Sequence, residues 1–167
     1  MNAIVSLNQP LLAPNGLDMN VSHLDFKRLK HKYTESTEAE MAASEWDMAE
    51  LEYRRFLTLK RLYPTISLVP SKAVDTIWHA HILDTRAYRK DCHKVFGRFV
   101  DHYPYFGIYG EEDYQELKNA FAQTVALYEK HFGAYPNGGT ESQAMRCSGH
   151  SCHAPTSCAC RVPGACK

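Results

Sequence analysis

Hydrophobic side chains recur at steps of three and four residues in four stretches of the chain, the spacing of one face of an α-helix. No alternating apolar and polar pattern of useful length indicates a β-strand. The pattern therefore predicts an all-α fold, either a four-helix bundle or an irregular helical bundle with a disordered Cys-rich C-terminal tail. The four predicted helices cover residues 18–34, 37–63, 74–97 and 111–132.

Residues with known helix-end preferences support these boundaries. Thr37 followed by Glu40 has the form of a capping box, which predicts that the second helix begins there. Ser71 fits the N-cap of the third helix, and Gly97 fits its C-terminal end.

The chain divides into three parts by composition. Residues 1–17 contain Pro10, Pro14 and Gly16 and predict a flexible N-terminal arm. Residues 18–133 form the predicted helical domain. Residues 134–167 have almost no large apolar side chains and hold five of the six cysteines. We therefore expect a Cys/His-rich tail that is disordered without metal.

Charge and hydropathy exclude several functions. The chain has 19 Lys and Arg against 19 Asp and Glu, so no overall field favours nucleic acid or an anionic membrane. It contains no apolar run of about 18 residues and no basic segment typical of a signal peptide. We therefore predict a cytoplasmic protein with no nucleic-acid or membrane partner. In a reducing compartment, cysteines bind metals or react more often than they form disulfides.

The third predicted helix carries an unusual group of side chains. On a straight helix, Trp78, His81 and Cys92 share the face expected to be buried. His79 lies on another face with Asp75, which we expect to be solvated. Because ligands on one helical face need a spacing of three or four residues, His79 and His81 are not expected to chelate one ion.

Three interpretations of His81 and Cys92 remain open. His81 is a hydrogen-bonded core histidine and Cys92 a small buried group. Alternatively, Asp84 or Asp91 fixes the tautomer of His81. In the third, His81 joins His102, with or without Cys92, in a metal or catalytic site.

The segments 52–57, 69–92, 96–107 and 121–133 together resemble the glycine-rich domain-containing protein-like family, a domain of unknown function with small bacterial members. Trp78-His79-x-His81, followed by Asp91-Cys92, is the most specific element of this resemblance. The resemblance implies a fold and a candidate pocket rather than a reaction. The implied pocket residues are Trp78, His79, His81, Asp91, Cys92, His102 and Tyr103.

The C-terminal tail is a second candidate metal site. Its cysteine spacing matches no standard zinc finger, but closely packed thiolates suit Cu(I) or zinc. The candidate ligands are Cys147, His150, Cys152, His153, Cys158, Cys160 and Cys166.

Three functional hypotheses follow. The first is a cytoplasmic metal-binding protein, with a His-based site in the bundle (His81, Cys92 and His102), a tail that captures a soft metal, and Zn or Cu(I) as the ion. The second is an enzyme of unknown reaction that uses the pocket, with His79 or His81 and Asp91 as acid and base. The third is a module that binds a protein partner through the aromatic loop around residues 103–109.

Overall fold

The computed structural model describes residues 10–139 of the chain. In that part there are six α-helices, a short 3-10 segment and no β-strand, which confirms the predicted all-α fold. The helices are α1 (Met19–Ser22), α2 (Lys27–Thr34), α3 (Ala43–Leu62), α4 (Lys72–Leu83), α5 (Thr85–Phe96) and α6 (Glu111–Phe132), and the 3-10 segment is Pro136–Gly139.

Helix α3 is the centre of the fold, because it contacts α1, α2, α4 and α6. Trp46, Tyr53 and Leu59 of this helix are fully buried. Arg54 ties the N-terminal helices to α3, since its guanidinium donates hydrogen bonds to the carbonyls of Val21 (2.7 Å) and Leu24 (2.9 Å).

Helix α6 buries one face, which contains Leu117, Phe121, Thr124 and Tyr128, as the spacing of three and four residues in this stretch predicts. The Thr124 hydroxyl also accepts a hydrogen bond from the backbone N–H of Val69 at 3.0 Å. This bond fixes the segment between α3 and α4 against α6.

The prediction of one continuous helix over residues 18–34 is wrong, because this stretch forms the two helices α1 and α2. The Asp18 carboxylate accepts hydrogen bonds from the N–H groups of Asn20 (2.9 Å) and Val21 (3.2 Å) and so caps α1. Asp25 accepts from the N–H of Lys27 (3.0 Å) at the start of α2.

The predicted start of the second long helix at Thr37 is also wrong, since α3 begins at Ala43. The Glu45 carboxylate accepts a hydrogen bond from the N–H of Ala42 at 3.0 Å, which is the acidic half of a capping box. Ala42 has no side-chain oxygen to supply the other half. A start signal based on Ser or Thr therefore points to the wrong residue.

The prediction of one continuous helix through residues 74–97 is wrong as well. Asp84 leaves the helical region at φ −82° and ψ 70°, and its carboxylate accepts from the N–H of Ala87 at 3.2 Å. Asp84 thus ends α4 and caps α5. Trp78, His81 and Cys92 are nevertheless all buried, as the pattern of a single helix predicted.

Some residues beyond the predicted limits of the helical domain also pack on it. Leu17 is buried, and the Tyr135 ring lies 5.8 Å from that of Phe121 and 4.7 Å from that of Tyr128. Among residues 10–139, no helix combines the length and apolarity that a membrane span requires. The limits of the arm and of the tail stay predictions.

Candidate metal centre

Two histidines and a carboxylate converge beside the middle of α4. Asp75 and His79 are four residues apart on that helix and therefore lie on the same face. His102 comes from the connection between α5 and α6. Asp75 is buried, and the side chains of His79 and His102 are 16% and 14% exposed. This group lies at the edge of the core, where solvent can still reach it.

The three side chains turn their ligand atoms towards one another. His102 Nε2 lies 2.9 Å from Asp75 Oδ1 and 3.0 Å from His79 Nε2. His79 Nε2 lies 3.5 Å from Asp75 Oδ2. One ligand atom from each residue falls within 4.8 Å of the other two. The two imidazoles and the carboxylate could therefore hold a metal ion.

These separations agree with those of a tetrahedral zinc site. Zinc–nitrogen bonds of 2.0–2.1 Å at the tetrahedral angle place two ligand atoms about 3.3 Å apart. The observed separations of 2.9, 3.0 and 3.5 Å, of which the first involves Asp75 Oδ1 and the last Asp75 Oδ2, fall on both sides of that value. A bound ion would require only small side-chain movements.

Contacts with the core hold the loop that carries His102. The Tyr88 hydroxyl donates to the Val100 carbonyl at 2.6 Å, and the Trp78 ring lies edge-on to that of His102 at 4.6 Å. At the other end, Gly107 has φ +82°, and a Cβ atom there would lie 2.6 Å from Leu117 Cδ2. The loop is thus fixed on both sides of the histidine.

A cavity of about 210 Å³ lies beside this group. Asp75 and His102 form part of its wall, together with the charged side chains of Lys60 and Asp101. The rest of the wall is largely apolar and includes Leu68, Val69, Phe106 and Leu117. Tyr103, which the sequence placed in the candidate pocket, also lines the cavity, although its side chain is 66% exposed.

His81 lies in a different environment, in the core between α3, α4 and α5. Its Nδ1 is 3.0 Å from the hydroxyl of the fully buried Tyr53, and its Nε2 is 3.1 Å from Asp91 Oδ2. The rings of Phe26 and Tyr88 lie edge-on to it, each at 4.9 Å. Burial lowers the pKa of His81, although the Asp91 carboxylate opposes that shift. The arrangement suits a neutral imidazole that accepts from Tyr53 and donates to Asp91.

Cys92 and Trp78 also belong to the core around Tyr88. The Trp78 indole N–H donates to the Tyr88 hydroxyl at 3.0 Å. Cys92 is buried, and burial raises the pKa of its thiol, with hydrogen bonds involving Val100 and Tyr88 opposing the shift. A reactive cysteine requires the opposite shift.

The structure therefore separates the residues that the sequence grouped together. Within the described part of the chain, His102 joins Asp75 and His79 in a group of converging ligand atoms, whereas His81 and Cys92 are not in that group. The expectation that Asp75 and His79 lie on a solvated face is wrong, because the loop carrying His102 covers them. The tail residues Cys147, His150, Cys152, His153, Cys158, Cys160 and Cys166 lie outside the described residues.

One signal for this group was present in the sequence. Asp75 and His79 have the spacing of four residues that places two ligands on one helical turn. Choosing between a surface ion pair and a buried ligand pair required the position of His102, which depends on the packing of the loop.

Fold and site together define an all-α protein with a buried carboxylate between two imidazoles. The model of the family described as UCP032817-like matches residues 18–129, which is more than half of the chain. The chain therefore belongs to this uncharacterised family.

The suggested resemblance to the glycine-rich domain-containing protein-like family is wrong, because the match is to another family. A motif built on Trp78, His81 and Cys92 describes mainly core packing, which unrelated helical proteins can share. No curated protein and no solved structure matches this chain.

Proposed function

We propose that this protein binds one divalent transition-metal ion through Asp75, His79 and His102. The convergence of two Nε2 atoms on each other and on the two oxygens of one carboxylate, at separations of 2.9–3.5 Å, supports this proposal most strongly. Asp75 is buried, and a bound cation would add positive charge to the contacts that His102 and His79 already make with its carboxylate.

The donor set favours a borderline divalent ion. Two imidazoles and a carboxylate suit Zn²⁺, and the same set with open positions also serves Fe²⁺. Cu(I) prefers the sulfur of Cys or Met. We therefore propose Zn²⁺ for the bundle. Capture of Cu(I) or zinc by the cysteines of the tail stays a prediction from the sequence.

The proposed centre leaves a coordination position for a ligand. Three protein donors complete only part of a tetrahedral shell, and a structural zinc site usually has four. Asp75 and His102 both line the neighbouring cavity, so the remaining position is expected to open into it. This supports a centre that binds a small molecule or water at the metal rather than one that only holds helices together.

Metal analysis of variants tests the proposal. The full-length chain is prepared with the five tail cysteines changed to serine, so that tail thiols do not contribute to the zinc content. This protein should bind one equivalent of zinc, and its His102→Ala variant should bind none tightly. His93→Gln replaces an exposed histidine of α5 and serves as the matched control. Equal zinc content in the parent and in His102→Ala would overturn the proposed centre.

A further inference from the structure

We propose that the cavity beside the metal centre binds a small organic monocarboxylate, whose anionic group lies between the metal and Lys60. This inference rests on the proposed function, because the metal is one of the two charges that would hold the ligand. Lys60 and His102 both line the same 210 Å³ space.

Lys60 is a half-buried cation with no carboxylate partner in the part of the chain that the structure describes. Its Nζ lies 5.5 Å from the centre of the Trp78 ring and 5.6 Å from that of Phe56. By contrast, Lys30 and Lys32, which are surface lysines, pair with carboxylates at 2.6 and 3.1 Å. Lys60 thus keeps its ammonium group available to a ligand.

The surroundings of Lys60 also disfavour its charged form. Burial and the nearby guanidinium of Arg98 lower the pKa of this ammonium group. A bound anion would remove that penalty, so anion binding and protonation of Lys60 would support each other.

The charge of the loaded cavity selects a monoanion. Among the groups that line the cavity or hold the metal, the carboxylates of Asp75 and Asp101 oppose the dication and the Lys60 ammonium, which leaves one formal positive charge. Arg98 acts on Lys60 but does not line the cavity. Asp101 is exposed, so water weakens the contribution of its charge to this balance. Lys60 and Asp75 are less exposed to solvent, so their charges act more strongly inside the cavity. A carboxylate balances this charge, but a phosphate dianion exceeds it.

The size and the apolar wall of the cavity select the rest of the ligand. Its volume lies below the roughly 300–1,000 Å³ of sites for drug-sized molecules, which favours a compact ligand. Leu68, Val69 and Phe106 would contact an apolar body. Benzoate combines one carboxylate with such a body and is a suitable probe.

The test uses the full-length serine-substituted chain loaded with Co²⁺, whose visible absorption reports on coordination. Benzoate should change the spectrum saturably and bind at least tenfold more tightly than its neutral counterpart benzamide. Lys60→Met keeps an unbranched side chain near the rings of Trp78 and Phe56 but removes the charge. It should weaken benzoate binding at least tenfold, and Lys60→Arg should restore part of the loss.

Lys130→Met is the matched control, because Lys130 also lies over an aromatic ring, that of Tyr63, but does not line the cavity. Benzoate affinity should be unchanged in this variant. Equal affinity in the parent and in Lys60→Met, or tighter binding of phosphate than of benzoate, would overturn the ligand proposal while leaving the metal centre intact. Failure of the parent to bind cobalt at all would overturn the centre itself, and the ligand proposal with it.

Discussion

The two histidines of α4 are only two residues apart, and the structure predicts opposite consequences for their removal. His81→Ala should destabilise the protein strongly and leave metal binding intact. His79→Ala should abolish tight metal binding and leave the metal-free protein nearly as stable as the parent. The physical reason is that His81 is 2% exposed and lies inside the core, whereas the His79 side chain is 16% exposed and lies at the edge of the core.

The magnitude for His81→Ala has two parts. Removing the ring leaves the hydroxyl of the fully buried Tyr53 without its partner, which costs about 1–3 kcal/mol. The ring also packs edge-on against Phe26 and Tyr88, and the space left by truncating a core side chain costs roughly 2–4 kcal/mol more. Together they lower the free energy of unfolding by about 3–7 kcal/mol, or on the order of 20 °C in Tm for a domain of this size.

His79→Ala loses less. Its ring contacts that of the partly exposed His102, and a substitution at such an edge costs about 1 kcal/mol. Thermal unfolding of EDTA-treated proteins, followed by circular dichroism, measures both changes, and zinc titration of the same samples measures affinity. The serine-substituted chain is the common background.

A result in which His81→Ala unfolds within about 2 °C of the parent but no longer binds zinc would refute this reasoning. It would move the metal site into the core. A large loss of stability in His79→Ala without metal would show that the Asp75 group is structural. Only the crossed pattern, with one variant losing stability and the other losing zinc, agrees with the structure.

Three further predictions concern linkage, the loop and pH. Zinc at 100 times its dissociation constant should raise the free energy of unfolding of the parent by about 2.7 kcal/mol, and calorimetry should find no such rise in His102→Ala. Gly107→Ala should cost at least about 1 kcal/mol more in urea unfolding than Gly110→Ala, because both glycines have positive φ but only at 107 does a Cβ meet Leu117; equal losses would contradict the role of this contact. His81 has a lowered pKa in the folded state, so protons bind the unfolded chain more readily. Its contribution to stability is therefore complete above the unfolded pKa of about 6.5 and falls as the pH drops below that value. In metal-free protein, His81→Gln should reduce the fall of the free energy of unfolding below about pH 6.5. An unchanged pH dependence would refute the conclusion that His81 is buried as a neutral imidazole.

The sequence was sufficient for features that depend on one helix at a time. The spacing of Leu117, Phe121 and Tyr128 predicts the buried face of α6, and the structure confirms that these residues are buried. The burial of His81 follows from the same spacing, because His81 is three residues after Trp78 and shares its helical face. In each case the spacing of three or four residues shows which side chains share a face of the helix. The hydrophobicity of those side chains indicates that this face packs against the core.

The break at Asp84 shows where this reasoning stops. Asp is tolerated on a helix surface and is also a strong N-cap, so the same residue fits a continuous helix and a boundary. The structure selects the boundary. The candidate centre depends on contacts between residues farther apart in sequence. The loop that brings His102 to Asp75 is held by the hydrogen bond from Tyr88 to Val100 and by the contact of Gly107 with α6. The spacing of residues within one helix does not predict those contacts.

Diffraction from crystals of the zinc-loaded protein, collected on both sides of the zinc absorption edge, tests the central claim most directly. We predict one anomalous peak in the helical domain, about 2.0–2.2 Å from the Nε2 atoms of His79 and His102 and from a carboxylate oxygen of Asp75. A zinc-loaded crystal with no peak between these three side chains, or with its only peak at the tail cysteines, would contradict the account.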